Sequence, residues 1–212
     1  MLRDQTHRYI QPLNNAQRTD TLSNRLTIRC RWLFVLLALV AATAPETLPA
    51  QDRHTWILID TRHMTLSVLQ GDKVKRTYDN ISLGRAGATP DKRRHDEKTP
   101  LGRFHISRIA TKTSFHRFFG IDYPSLERAE RALKEGIITG QQYVQIRDAF
   151  RSRKPPPQNT PLGGYIGIHG LGAGDARIHE DFNWTNGCIA LTNEQIDDLA
   201  KWVHLGMPVV IR

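Results

Sequence analysis

Residues 56–78 read WILIDTRHMTLSVLQGDKVKRTY, and this stretch sets the fold class. WILI is a compact apolar run. In residues 64–69, MTLSVL, apolar and polar residues alternate with period two, which puts Leu66 and Val68 on one face of a strand. The tetrapeptide at 70–73, QGDK, is turn chemistry and directs a hairpin into the strand at 74–78. Short strands separated by turns in this way argue for a mainly β domain.

The same grammar continues outward. Residues 81–84 (ISLG) read as another short strand, 87–98 as a surface loop rich in glycine, proline and charge, and 103–106 (RFHI) as a further strand. The middle is helical. Ser125 caps a helix with Leu126, Ala129 and Leu133 on one stripe, ended by Gly136. Thr139 and Gln142 form a capping box before Tyr143, Ile146 and Phe150, and the prolines at 155–157 end that helix. A helical insertion at about 125–153 between β segments is expected to act as a wall or lid. The chain then returns to strands at 164–169 (GYIGIH), 189–191 and 209–211. Thr192 or Asn193 caps a helix that carries Ile196, Leu199 and Val203 before the last of these. The pattern predicts a mainly β sandwich or barrel with an inserted helical segment and a C-terminal helix.

Residues 1–50 stand apart. Arg25, Arg29 and Arg31 precede the apolar run 32–42 (WLFVLLALVAA), and Leu48-Pro49-Ala50 offers a small-residue exit. A basic region, a short apolar core and a small exit describe a secretory signal peptide, because a spanning helix needs roughly 20 apolar residues. The alternative is an uncleaved signal anchor. The long polar stretch ahead of Arg25 implies a start codon downstream of Met1. The expected organisation is 1–50 for export and 51–212 for one domain in the periplasm or cell envelope. Cys30 would leave with the signal, so Cys188 would be the only cysteine of the mature protein and no internal disulfide could form.

The formal net charge of +9 favours contact with polyanions. No basic cluster interleaved with aromatics accompanies it, and no nucleic-acid-binding motif, so nucleic acid is not an expected partner.

Chemistry concentrates in residues 166–191, IGIHGLGAGDARIHEDFNWTNGCIAL: a histidine at a strand end, a glycine-rich loop, then a cysteine entering a strand. A free thiol has a pKa of about 8.5 and attacks as the thiolate, so a neighbouring imidazole is what Cys188 needs from His169. Gly187 lets backbone approach a bound carbonyl, and the N–H groups at Gly187 and Cys188 are candidate oxyanion donors. On spacing alone, a buried inert cysteine with an unrelated histidine is the favoured reading. A zinc site of His169, His179 and Cys188 also comes into view, although no second ligand stands at short spacing from His169.

The run from His169 to Thr185-Asn186-Gly187-Cys188 resembles the signature of the L,D-transpeptidase catalytic domain, the YkuD family. The likeness extends through Leu83-Gly84, residues 98–104 (KTPLGRF), 118–124 (FFGIDYP), 164–170 and 183–191. The resemblance implies that Cys188 is the nucleophile and His169 its base, oriented by the Gly170 carbonyl, with Thr185 supporting the loop and no metal or organic cofactor. It implies an acyl-enzyme formed on a peptidoglycan tetrapeptide stem and passed to an amine. With water as acceptor the same thiol would be a carboxypeptidase or amidase, and a silent site would leave a peptidoglycan-binding protein. Peptidoglycan stem peptides are the expected partner, membrane contact arises only through an uncleaved anchor, and a monomer is expected.

Two positions depart from the family pattern. Asn186 stands where many members have histidine, and Ala190 where many carry an arginine that helps hold substrate carboxylate. Arg177, Arg103 and Lys98 are candidate replacements for that arginine, and Tyr165 and Trp184 candidate substrate contacts.

Overall fold

A computed structural model describes residues 55–212; the expected export segment at 1–50 lies outside the described residues. In chain order the first strands are β1 (Thr55–Asp60), β2 (Thr65–Gln70), β3 (Lys73–Tyr78), β4 (Ala88–Thr89) and β5 (Thr99–Pro100). They are followed by β6 (Gly102–Thr113), β7 (His116–Ile121), β8 (Gly167–Gly170), β9 (Ile189–Leu191) and β10 (Pro208–Ile211). The helices are α1 (Leu126–Lys134), α2 (Gly140–Arg151), α3 (Ala176–Asp181) and α4 (Asn193–Leu199).

Eight strands form one mixed sheet in the order β3-β2-β1-β10-β6-β7-β8-β9, and β4 and β5 make a small parallel pair. The period-two reading of the opening stretch holds: Ile57, Ile59, Leu66 and Val68 are fully buried. Each such side chain contributes about 1.5–3 kcal/mol by leaving water. β6 joins the two halves of the sheet, pairing with β10 through its first residues and with β7 through the rest, across two register shifts.

The two edges of the sheet are stitched together. After β3, residues 79–84 cross to the far edge, where Ser82 and Ala190 of β9 exchange both backbone hydrogen bonds, at 3.0 and 2.8 Å. The sheet is thereby rolled toward a barrel, so the mainly β architecture expected from the sequence is the one the chain adopts. Residues 81–84 form these isolated bridges in place of the expected ladder strand.

Other expectations are met with adjustments. Ser125 caps α1 by accepting from Arg128 N–H, and both Thr139 and Thr192 close full capping boxes. The buried face of α1 is Arg128, Ala129 and Ala132, not the stripe running to Leu133, which is exposed. Helices α1 and α2 pack on each other and send Ala129, Ala132 and Ile146 into the core. Neither helix contributes a residue to the cleft described below, so the lid expectation gives way to a buttress. The loop at 87–98 is not wholly superficial either, since it carries β4 and the buried Lys92.

Candidate active site

Parallel pairing of β8 with β9 sets His169 opposite Ala190 and Ile168 opposite Ile189. Ile168 and Ile189 are fully buried in the core. Because strand side chains alternate, His169 and Cys188 belong to the other face. Both line a cleft of about 640 Å³ together with Tyr165, Trp184, Thr185 and Asn186.

The imidazole is buried among three aromatic rings: Phe115 with centroids 4.4 Å apart, Phe118 stacked at 6.4 Å, and Trp184 edge-on at 5.7 Å. Its Nδ1 lies 2.8 Å from the Gly170 carbonyl oxygen. A carbonyl can only accept, so Nδ1 carries the proton and Nε2 presents a lone pair. Burial holds His169 below its ordinary pKa, against the raising effect of the Gly170 bond.

Cys188 is half-buried, and its Sγ lies 3.5 Å from the Tyr165 carbonyl oxygen, the geometry of a thiol donating its proton. Burial pushes the thiol up to about 11, with a backbone bond at Gly167 and the charge of Lys92 pulling the other way. The resting pair is therefore neutral thiol and neutral imidazole. Tyr165 holds its carbonyl there with φ of 58°, and its N–H donates to Gln158 Oε1 at 2.6 Å. This left-handed residue explains why β8 begins at Gly167 and not at 164.

The loop before Cys188 is fixed from within. Thr185 Oγ1 donates to the Cys188 carbonyl at 2.7 Å and accepts from Gly187 N–H at 3.0 Å. With the Gly187 N–H already bonded, the expected pair of oxyanion donors reduces to the Cys188 N–H. Gly187 sits at φ of 128°, and a Cβ there would meet the Lys98 carbonyl oxygen at 2.6 Å and Lys92 Nζ at 3.0 Å. Only glycine fits. Lys92 itself is buried and donates to Asp96 Oδ1 at 2.7 Å.

The remaining candidates divide. Tyr165 and Trp184 line the cleft, whereas Arg103, Arg177 and Lys98 do not. Arg103 lies exposed on β6 opposite Val210, and Arg177 is solvent-exposed beside Asp175 at 3.3 Å. The cleft's cations are Arg85 and Arg108, which sequence reasoning passed over. Arg85 could have been suspected because it directly follows the Leu83-Gly84 match, but Arg108 carries no local signal. His179 also lies outside the cleft: it is buried, and its Nδ1 accepts from Trp184 Nε1 at 3.3 Å.

A family model described as the L,D-transpeptidase catalytic domain, YkuD, matches residues 54–211. Comparison with curated proteins returns no match. Among solved structures, the helical cell shape determining protein Pgp2 from Campylobacter jejuni aligns with a TM-score of 0.51 and 22% identity, over 74% of this chain and 47% of that one. Bd1075 from Bdellovibrio bacteriovorus gives 0.47 and 18%, over 75% and 48%. An L,D-transpeptidase from Enterococcus faecium gives 0.41 and 14%, over 75% and 50%. The chain spans about half the length of these solved structures. At such identities the likeness is one of fold.

Proposed function

The chain belongs to the L,D-transpeptidase catalytic domain family, and from that premise we propose that it is an exported cysteine acyltransferase acting on peptidoglycan stem peptides, with Cys188 as nucleophile and His169 as general base. One observation carries the reading: thiol and imidazole share one cleft, and the bond from His169 Nδ1 to Gly170 leaves Nε2 as the free basic nitrogen.

In the proposed cycle, His169 Nε2 takes the Cys188 proton as sulfur attacks the carbonyl carbon of a diaminopimelate residue in a tetrapeptide stem. The developing oxyanion is received by the Cys188 N–H. Collapse breaks the C–N bond, and the departing D-alanine amine takes the proton back from Nε2. The thioester then passes its acyl group to an amine, which loses a proton to His169 as the thiol is restored. Because both groups rest neutral, the base acts during attack and does not store a preformed thiolate. The arginine-rich residues 25–31 ahead of the apolar run 32–42 support export to the cell envelope.

A second reading, hydrolysis with water as acceptor, draws support from the lining of the cleft. Arg85 and Arg108 are charged, and no carboxylate is present there to hold an ammonium acceptor.

The test is incubation with a carbapenem followed by mass spectrometry. A covalent adduct on Cys188, lost in Cys188→Ala and indifferent to chelator, is the expected result. Turnover of tetrapeptide stems by Cys188→Ala would overturn the reading. Dimeric products separate transfer from hydrolysis, which releases D-alanine without dimer.

A further inference from the structure

A buried charge sits behind the nucleophile loop. The Lys92 side chain is 4% exposed, and its Nζ donates to Asp96 Oδ1 at 2.7 Å. Taking two such charges out of water costs several kcal/mol per ion, and a well-packed apolar pair in their place is often as stable. The pair is therefore a poor device for holding the fold, and its position suggests another use.

Both ends of the pair are fixed. The Lys92 carbonyl accepts from the buried Tyr123 hydroxyl at 3.2 Å and from Nε of the buried Arg128 at 3.3 Å. Asp96 also accepts from the N–H groups of Arg93 at 2.7 Å and Lys98 at 3.0 Å. So anchored, the lysine reaches residue 187, directly before the nucleophile. The atoms nearest to where a Gly187 Cβ would lie are the Lys98 carbonyl oxygen at 2.6 Å, Lys92 Nζ at 3.0 Å and Lys92 Cε at 3.2 Å. No Asp96 atom comes as near, so the pair turns its positive end toward the loop. The missing side chain at Gly187 is what admits the ammonium. Of the other ionisable groups around the small cavity of about 260 Å³ that Lys92 borders, Arg94 and His95 are exposed and Glu97 is half-buried. Water screens those charges more than it does Lys92.

We propose that Lys92, clamped by Asp96 against Gly187, is a positioning residue that acts through the nucleophile: its buried ammonium stabilises the negative charge that gathers on the Cys188 sulfur during attack. The Cys188 proton still goes to His169 Nε2, and the sulfur lone pair forms the new bond. Lys92 touches no substrate and gives up no proton. A fixed charge in a water-poor setting acts more strongly than one at the surface, and it is in place before the reaction begins. The inference rests on the acyl-transfer reading above for the step it assists, whereas its effect on the sulfur is the same whatever electrophile is attacked.

The test is alkylation by iodoacetamide on the full chain, followed at Cys188 by mass spectrometry between about pH 6 and 8, where the rate tracks the thiolate fraction. Lys92→Met removes the cation and is expected to slow alkylation about tenfold, the change in thiolate fraction that a pKa one higher makes. Asp96→Asn breaks the same ion pair but leaves the ammonium without its opposing carboxylate, and should speed alkylation. A pair with a purely structural role would move both rates in one direction. Lys92→Met combined with Asp96→Leu guards against misfolding: its Tm should return toward that of the unsubstituted chain while alkylation stays slow. With carbapenem, Lys92→Met should lower the acylation rate at saturation by a similar factor and leave the half-saturating concentration unchanged. Single variants that shift together, or a double variant that alkylates like the unsubstituted chain, overturn the proposal. Carbapenem adduct formation by the unsubstituted chain reports separately on the acyl-transfer reading, so failure of the one is distinguishable from failure of the other.

Discussion

Trp184 donates its indole N–H to Nδ1 of His179, and that bond sets the indole edge-on against the ring of His169. The buried His179 is therefore a strut for the base. His179→Phe removes the acceptor and leaves a half-buried N–H unbonded, at a cost of about 1–3 kcal/mol. A lower Tm with a severalfold lower kcat is expected, whereas His179→Gln, which keeps an acceptor, should recover both in part. Unchanged kcat in His179→Phe would mean that the indole holds its place without the bond.

The two reacting groups make a distinctive pH profile. With the thiol pushed to about 11, iodoacetamide should modify Cys188 slowly at neutral pH, the rate climbing toward that value and not levelling near the ordinary thiol pKa. His169 lies below its usual value, so it stays unprotonated, and able to accept a proton, as pH drops through about 6.5. Carbapenem acylation should accordingly hold its rate below that pH and fall only further into acid. An alkylation midpoint near 8.5, or acylation already halved at 6.5, would contradict this.

Lys92 and Asp96 pair at 2.7 Å with the lysine side chain only 4% exposed. Burial raises the Asp96 pKa, but its bonds from Lys92 and from the N–H groups of Arg93 and Lys98 outweigh that and hold the carboxylate below its usual range. Lys92→Met strands that carboxylate and should cost about 3 kcal/mol in denaturant unfolding. It should also raise the Cys188 pKa further, since the lysine charge pulls it down. Lys92→Met combined with Asp96→Leu should regain most of the stability but not the thiol reactivity.

Gly187→Ala tests the tight approach behind the nucleophile. The added methyl collides with the Lys98 carbonyl at a backbone angle that disfavours any side chain. Loss of carbapenem labelling with a Tm lowered by several degrees, about 1–3 kcal/mol of strain, is expected. A fully labelled variant would show that the loop can shift without harm.

Much of this was legible in residue order. The alternation at 64–69 and the Thr139 and Thr192 caps are local signals, and the strands and helices followed them. His169 and Cys188 were also visible, because each lies inside a compact motif. The cleft's cations were not. Arg85 enters by way of bridges to residues a hundred positions on, and Arg108 by its place on the long β6, so neither leaves a mark in neighbouring residues. The same limit misassigned Arg103 and Arg177: basic residues are common on surfaces, and only pairing register separates those that face the cleft. Lys92 was hidden for a related reason, as a charged, proline-bearing loop reads as solvated until its tertiary partners are known.

The stitching of residues 82–85 to 182–185 also governs when reactivity can arise. Ser82, Leu83 and Arg85 hold Phe182, Asn183 and Thr185 through bonds that close a circuit of about a hundred residues, and such distant closures come late in folding. Until they form, the sulfur has neither an oriented base nor a shaped loop. If the chain is exported unfolded, as proposed, it would travel with a dormant thiol whose chemistry awakens only at the destination.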